Sequence, residues 1–194
     1  MRNVAYGEPN QSNAHWVMNE RLIADMKRVI GAKYLQLTNP NNEAEERLQY
    51  LTRYWPFRFA MDENKALQVE VDVELEDGTI RQERYRPLDI SSMVLRKLRE
   101  GAEEYLGLEP GAIKRAVIAH PAYFGVVQKE ETKEAARLAG LEVMDEMLIS
   151  EPMAATLSYR ERRRDMEGGG NYRTLVFDLG AGTFDITVIE VRGS

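Results

Sequence analysis

Cysteine is absent from this 194-residue chain, and histidine occurs only twice. Disulfides and thiolate chemistry are thereby excluded, and any metal ion must be held by oxygen. No apolar run approaches the ~20 residues of a membrane span, and the start, Met1-Arg2-Asn3-Val4-Ala5-Tyr6, has no apolar core of signal-peptide length. The expectation is a cytoplasmic protein with no membrane contact. Positive charge is also scarce: 26 Lys and Arg stand against 32 Asp and Glu, a net charge of −6, whereas nucleic-acid phosphates call for clustered cations. Nucleic acid is therefore not an expected partner. Neither GxxxxGK(S/T) nor GxGxxG occurs, so a P-loop and a dinucleotide fold are both unsupported. The chain does have 43% hydrophobic residues, enough at this length for one large domain or two small ones.

Residues 1–19 are polar and irregular. Apolar residues at 22, 23, 26, 29 and 30, with a stop at Gly31, predict an amphipathic helix from Arg21 to Ile30. A second helix is expected from about Glu43 to Tyr54, before Pro56. Leu67, Val69, Val71, Val73 and Leu75 alternate with Gln68, Glu70, Asp72 and Glu74, the period-two pattern of a half-exposed strand. Asp77-Gly78 then turns the chain into a return strand through Tyr85. Ile90, Val94, Leu98, Ala102 and Leu106 share one face of the next helix, with Asp89 or Ser91 as its cap and Gly107 as its stop.

Beyond Pro110 the order becomes strand (116–119), helix (125–140), strand (147–149) and helix (from 153). That order predicts a parallel α/β sheet, with ligands off the carboxyl ends of its strands. Pro121 and Glu151 fall at two such ends. A charged stretch, 160–167, leads to the glycines 168–170 and is read as a loop, although its arginines would equally suit a solvated helix end. A hairpin follows, in which Arg173-Thr174-Leu175-Val176-Phe177 is apolar and β-branched enough for a buried strand. After its turn Phe184, Ile186 and Val188 alternate with Asp185, Thr187 and Ile189.

The turn of that hairpin, Asp178-Leu179-Gly180-Ala181-Gly182-Thr183-Phe184-Asp185, packs two carboxylates, a hydroxyl and a glycine-rich bend together. Gly180 and Gly182 permit backbone angles closed to other residues, so amide N–H groups can point at an anion. Asp178, at its strand end, can hold a magnesium ion through water against phosphate oxygens. A tight turn with a charged rim is the other reading of the same string.

The string closely resembles the phosphate-binding hairpin of the heat shock protein 70 family, the DnaK-type molecular chaperones. Ala116-Val117-Ile118-Ala119-His120-Pro121-Ala122-Tyr123-Phe124 resembles that family's "VPAYF" segment. Ala139-Gly140-Leu141-Glu142-Val143, with Ser150-Glu151-Pro152-Met153-Ala154-Ala155 after it, resembles "AGLEV…NEPTAA". Lys27-Arg28-Val29-Ile30-Gly31, Trp55-Pro56-Phe57 and Ile90-Ser91-Ser92-Met93-Val94-Leu95 resemble further segments, in the same order, and the likeness runs from about Arg21 to Val191. It implies an α/β fold of the actin-like ATPase (ribonuclease H-like) type, with ATP or ADP and Mg²⁺ as cofactors. Its implied role is ATP hydrolysis coupled to protein folding and the stress response, with co-chaperones or a nucleotide exchange factor as partners.

Matched position by position, the resemblance implies that Lys27 reaches the terminal phosphate and the attacking water. It implies that Glu151 organises magnesium-bound water, that Asp178 is the magnesium-associated aspartate, and that Asp185 lies near the attacking water. The Thr183 hydroxyl then faces the terminal phosphate, and Gly180, Ala181 and Gly182 cradle it. Pro121 matches a conformational switch paired with a basic residue, here Lys129. Ala181 stands where glycine is usual and Lys129 where arginine is usual, which removes a planar bidentate donor. Met153, Thr156 and Arg160 depart from the family around the helix after Glu151. His120 occupies a position usually apolar, and packing is its expected role.

No segment resembles the family's first phosphate loop, the adenosine clamp or the substrate-binding region. The expected organisation is therefore incomplete: most of lobe I plus the first hairpin of lobe II. Residues 1–112 are read as a peripheral lobe I subdomain, 113–170 as part of the lobe I core, and 171–194 as the start of lobe II. A truncated ATPase domain of this kind binds ATP weakly and is inactive alone. The alternative is a non-catalytic interaction module that pairs with another chaperone lobe, or self-associates through its truncated face.

Overall fold

The computed structural model describes residues 23, 25–32, 55, 57–162, 171–180 and 184–192, with side chains of 160–162 excepted. The expected helix at 43–54, the irregular start at 1–19, positions 21, 22 and 24 of the first expected helix, Pro56, the stretch 163–167, the glycines 168–170 and turn residues 181–183 lie outside them. The chain divides into two compact units. One takes its described residues from those up to Met26 and from Ala32–Arg86, the other from Lys27–Gly31 and from Pro87 onward.

In the first unit the alternating segment forms β2 (Leu67–Glu74), flanked by β1 (Arg58–Met61) and β3 (Ile80–Tyr85) in an antiparallel sheet of order β1-β2-β3. The pattern is realised as expected: Leu67, Val69 and Val71 are buried, while Glu70 on the other face lies opposite both Arg58 and Arg84 and bonds to each. Asp77 builds the turn, its Oδ1 accepting the Thr79 N–H at 2.9 Å, with Gly78 at φ 79°. β1 was not legible in the sequence. Its start is held in a cluster of three aromatic rings, Phe57 lying 5.3 Å from both Trp55 and Phe59, and these two 5.6 Å from each other.

The second unit holds α1 (Pro87–Leu106), β4 (Ile118–His120), α2 (Val126–Leu138), β5 (Leu148–Ser150), α3 (Glu151–Arg162) and the hairpin β6 (Tyr172–Leu179) and β7 (Phe184–Val191). β4 and β5 are parallel, as the strand-helix order required. Ile30, Leu88, Phe124 and Ala135 form the core beneath α1 and α2, with Leu95 and Leu138 against it. The helix expected over 21–30 is corrected over its described part, 25–30: Asp25 takes φ 59°, outside the right-handed region, and only a 3₁₀ turn, Met26–Arg28, follows before Gly31 at φ 73°.

The reading of α1 is corrected too. The helix begins at Pro87, where a missing N–H costs nothing, so Asp89 and Ser91 lie inside it. Val94, Leu98 and Leu106 are exposed, and the face turned to α2 instead carries Leu88, Leu95, Arg96 and Arg99. The last carbonyls of a helix have no donor within it. Arg96 Nη2 and Arg99 Nη1 supply two, donating to the Leu138 and Ala139 carbonyls of α2 at 3.0 and 2.8 Å. Apolar spacing cannot register that requirement. Gly107 does stop α1, at φ 66°, with the Leu108 N–H returning to the Glu103 carbonyl at 2.8 Å.

The strand 173–177 does pair in a hairpin but is not buried. Leu175, Phe177 and Leu179 lie opposite Val188, Ile186 and Phe184 on one face, and all six are 48–74% exposed.

Candidate functional site

β4 and β5 end in register, His120 opposite Ser150. The residues that follow, Pro121 and Glu151, therefore leave adjacent strands side by side at the edge where parallel sheets present ligands. Glu151 opens α3, where its carboxylate complements the helix N-terminus. Lys27, 124 residues earlier, extends from the 3₁₀ turn and places Nζ 3.3 Å from Glu151 Oε1. Its side chain is 52% exposed and that of Glu151 31%. An ion pair so open to water contributes only ~0–1 kcal/mol. Stability does not account for it, and the ammonium remains free to turn to an anionic ligand.

Pro121 is buried and begins a turn in which its carbonyl accepts the Phe124 N–H at 3.1 Å. His120 is also buried, with Nδ1 2.8 Å from the same carbonyl and its ring stacked on Phe124 at 5.8 Å. Gly125 caps α2, and the Gln128 side chain reaches back to its N–H at 3.1 Å. Lys129 lies half-buried one turn into the helix.

Asp178 and Asp185 face each other across the β6–β7 ladder, one pair from the closing turn at Leu179 and Phe184. Gly180 is exposed in that turn; Ala181, Gly182 and Thr183 lie outside the described residues. Like charges directly opposite one another destabilise a hairpin. A hydrated divalent cation would offset that repulsion, and carboxylate oxygens are the donors magnesium takes. Among the described residues no group of three or more acidic or histidine side chains converges.

Sequence-predicted residues thus gather in two places, Lys27 with Glu151 beside Pro121, and Asp178 with Asp185. Among the described residues no hydrogen bond or ion pair joins the two groups. Two positions went unnoticed in the sequence. Glu131 accepts the Gly31 N–H at 2.7 Å, a contact spanning 100 residues that no local pattern signals. Glu103, only 2% exposed, accepts the N–H groups of Gly111 and Ile113, each at 2.9 Å; its i,i+4 spacing from Arg99 was the available clue.

The family model described as Hsp70 protein matches residues 2–194. The heat shock 70 kDa protein BIP3 of Oryza sativa subsp. japonica is 39% identical over 89% of this chain and 23% of its own length. Chaperone protein DnaK 1 of a Synechococcus strain is 40% identical over 90% of this chain and 20% of its own. A heat shock 70 kDa protein of Ajellomyces capsulatus is 37% identical over 88% and 21%. The chain therefore spans about a fifth of the length of these relatives.

Proposed function

Because the chain belongs to the Hsp70 family, we propose that it forms part of the ATP-binding domain of a heat shock protein 70-type chaperone, whose hydrolysis of ATP is coupled to protein folding. Membership implies the actin-like ATPase fold, here most of lobe I (1–112 and 113–170) with the first hairpin of lobe II (171–194). One observation carries the reading: Lys27 and Glu151, remote in sequence, meet 3.3 Å apart at the carboxyl ends of β4 and β5. Lys27 then faces the terminal phosphate, where an ammonium stabilises developing negative charge. Glu151 and Asp178 would hold Mg²⁺ through water, and the ion would supply charge neutralisation at the phosphates. Asp185 lies near the attacking water, and Gly180, Ala181, Gly182 and Thr183 receive the phosphate. Pro121 and Lys129 relay nucleotide state, and co-chaperones or an exchange factor act on the intact protein.

Phosphoryl transfer needs preorganised donors on both sides of the phosphate. This chain contributes one phosphate hairpin, so by itself it binds ATP weakly and hydrolyses it negligibly. Titration of Mg·ATP into ¹⁵N-labelled protein should shift the amides of 178–185, and Asp178→Asn or Lys27→Ala should abolish the shifts. Unmoved amides at millimolar nucleotide would end the reading.

The uncovered face of the β6–β7 hairpin favours a second role, an interaction module that self-associates. Six apolar side chains face one another there, each exposed to solvent, and a contiguous exposed apolar face is the kind of surface that associates. Sedimentation velocity separates the roles: a dimer dispersed by Phe177→Lys with β-structure retained supports the module, and a monomer at all concentrations excludes it.

A further inference from the structure

Lys27 is a long, flexible side chain in a weak surface pair, so its approach to Glu151 depends on how its backbone is held. The segment Lys27–Gly31 is not α-helical, and its only regular element is the 3₁₀ turn ending at Arg28. Three contacts fasten the end of the segment to α2 and its entry. Ile30 packs in the core with Phe124 and Ala135. Gly31, at φ 73°, lies so close to α2 that an added Cβ would come 3.1 Å from Gln128 Cγ and 3.3 Å from Val127 Cγ1. The Gly31 N–H donates to Glu131 Oε2 at 2.7 Å.

These contacts do different things. Apolar packing of Ile30 is non-directional: it fixes where the turn sits but not its rotation. A short hydrogen bond to a carboxylate is directional and among the stronger kinds, so it orients the peptide plane that closes the turn. We infer that Glu131 is a positioning residue for Lys27, holding the 27–31 turn on α2 in the one orientation that carries the ammonium to Glu151. The inference rests on the reading of Lys27 as the phosphate-facing lysine. It also ties that lysine to the helix that follows Pro121 and carries Lys129, so that a shift of α2 moves both.

The test is acetylation of the intact chain with acetic anhydride, read lysine by lysine by mass spectrometry, without nucleotide. Glu151→Gln frees Lys27 from its partner and should raise its labelling about two- to fivefold, the span of an exposed ion pair. Glu131→Ala should raise Lys27 to the same level, the double variant should rise no further, and Glu131→Gln, whose amide oxygen still accepts the Gly31 N–H, should restore the wild-type rate. Lys129 and Lys133 serve as controls and should not change. Lys27 labelling that stays at the wild-type level in Glu131→Ala, or effects that add in the double variant, would overturn the inference. Should Glu131→Ala unfold the chain, raising every lysine together, Glu131→Asp, one methylene shorter, is read in its place, with unchanged Lys27 labelling again the overturning result. Because no nucleotide enters the assay, a failure to bind ATP and a failure of Glu131 to position Lys27 register separately.

Discussion

Substitution of Gly140 by alanine should cost far more than the same change at Gly107, although the two glycines do the same local job. Each follows the last turn of a helix in the left-handed region, at φ 80° and 66°. Each is followed by an N–H that returns five residues, Leu141 to Ala136 at 2.9 Å and Leu108 to Glu103 at 2.8 Å. A Cβ in that region costs roughly 1–2 kcal/mol at either site. At Gly107 the added carbon meets nothing within 4 Å. At Gly140 it would land on Arg99 Nη1, with Cζ 3.5 Å away, and that guanidinium would have to swing aside. Its bond to the Ala139 carbonyl, 2.8 Å, would be lost, about 1.5–3 kcal/mol for a charged donor. Gly140→Ala should therefore destabilise by about 2.5–5 kcal/mol against about 1–2 for Gly107→Ala. In urea, with a slope of about 2 kcal/mol per molar, the two midpoints should differ by about 1 M. In an Arg99→Ala background the Gly140→Ala cost should fall to the Gly107 value. Equal midpoints for the two variants in the wild-type background would refute the role given to Arg99.

Two further outcomes follow from the electrostatics. The Gly111 N–H, with help from Ile113 and Arg99 and against the effect of burial, holds the Glu103 carboxyl below its ordinary value of 4.5. A depressed carboxylate contributes stability that is complete above the unfolded value and is lost as pH falls through the folded one. Glu103→Gln should therefore flatten the acid limb of a plot of Tm against pH below about 4.5, and an unchanged limb would exclude the linkage. The hydrogen bond from Tyr85 to Glu83, with burial adding to it, pushes the phenol from 10.0 up to about 12, so in Glu83→Gln the ¹³Cζ resonance of Tyr85 should titrate below the wild-type midpoint, toward 10.0; a midpoint left near 12 would assign the shift to another cause.

Features that depend on near neighbours in the chain were already written in the amino-acid order. Period-two alternation set β2 and its buried face, because side chains one residue apart must point to opposite sides of a strand. Asp77-Gly78, Gly107 and the pairing of the strands that carry Asp178 and Asp185 were legible because turns, helix stops and short hairpins are made by residues close in the chain. The strand-helix order likewise required β4 and β5 to be parallel, since two strands joined through a helix in one sheet run the same way. Which face of α1 is buried was settled by packing. The orphan carbonyls at the end of α2 draw in Arg96 and Arg99, and Val94 and Leu98 are left in solvent. Packing also replaced the expected helix before Gly31 with a 3₁₀ turn, where Glu131 and Ile30 hold the chain to α2. The meeting of Lys27 with Glu151 belongs to the same class. A contact between residues 124 positions apart leaves no local periodicity, because it exists only once the strands and helices between them have packed.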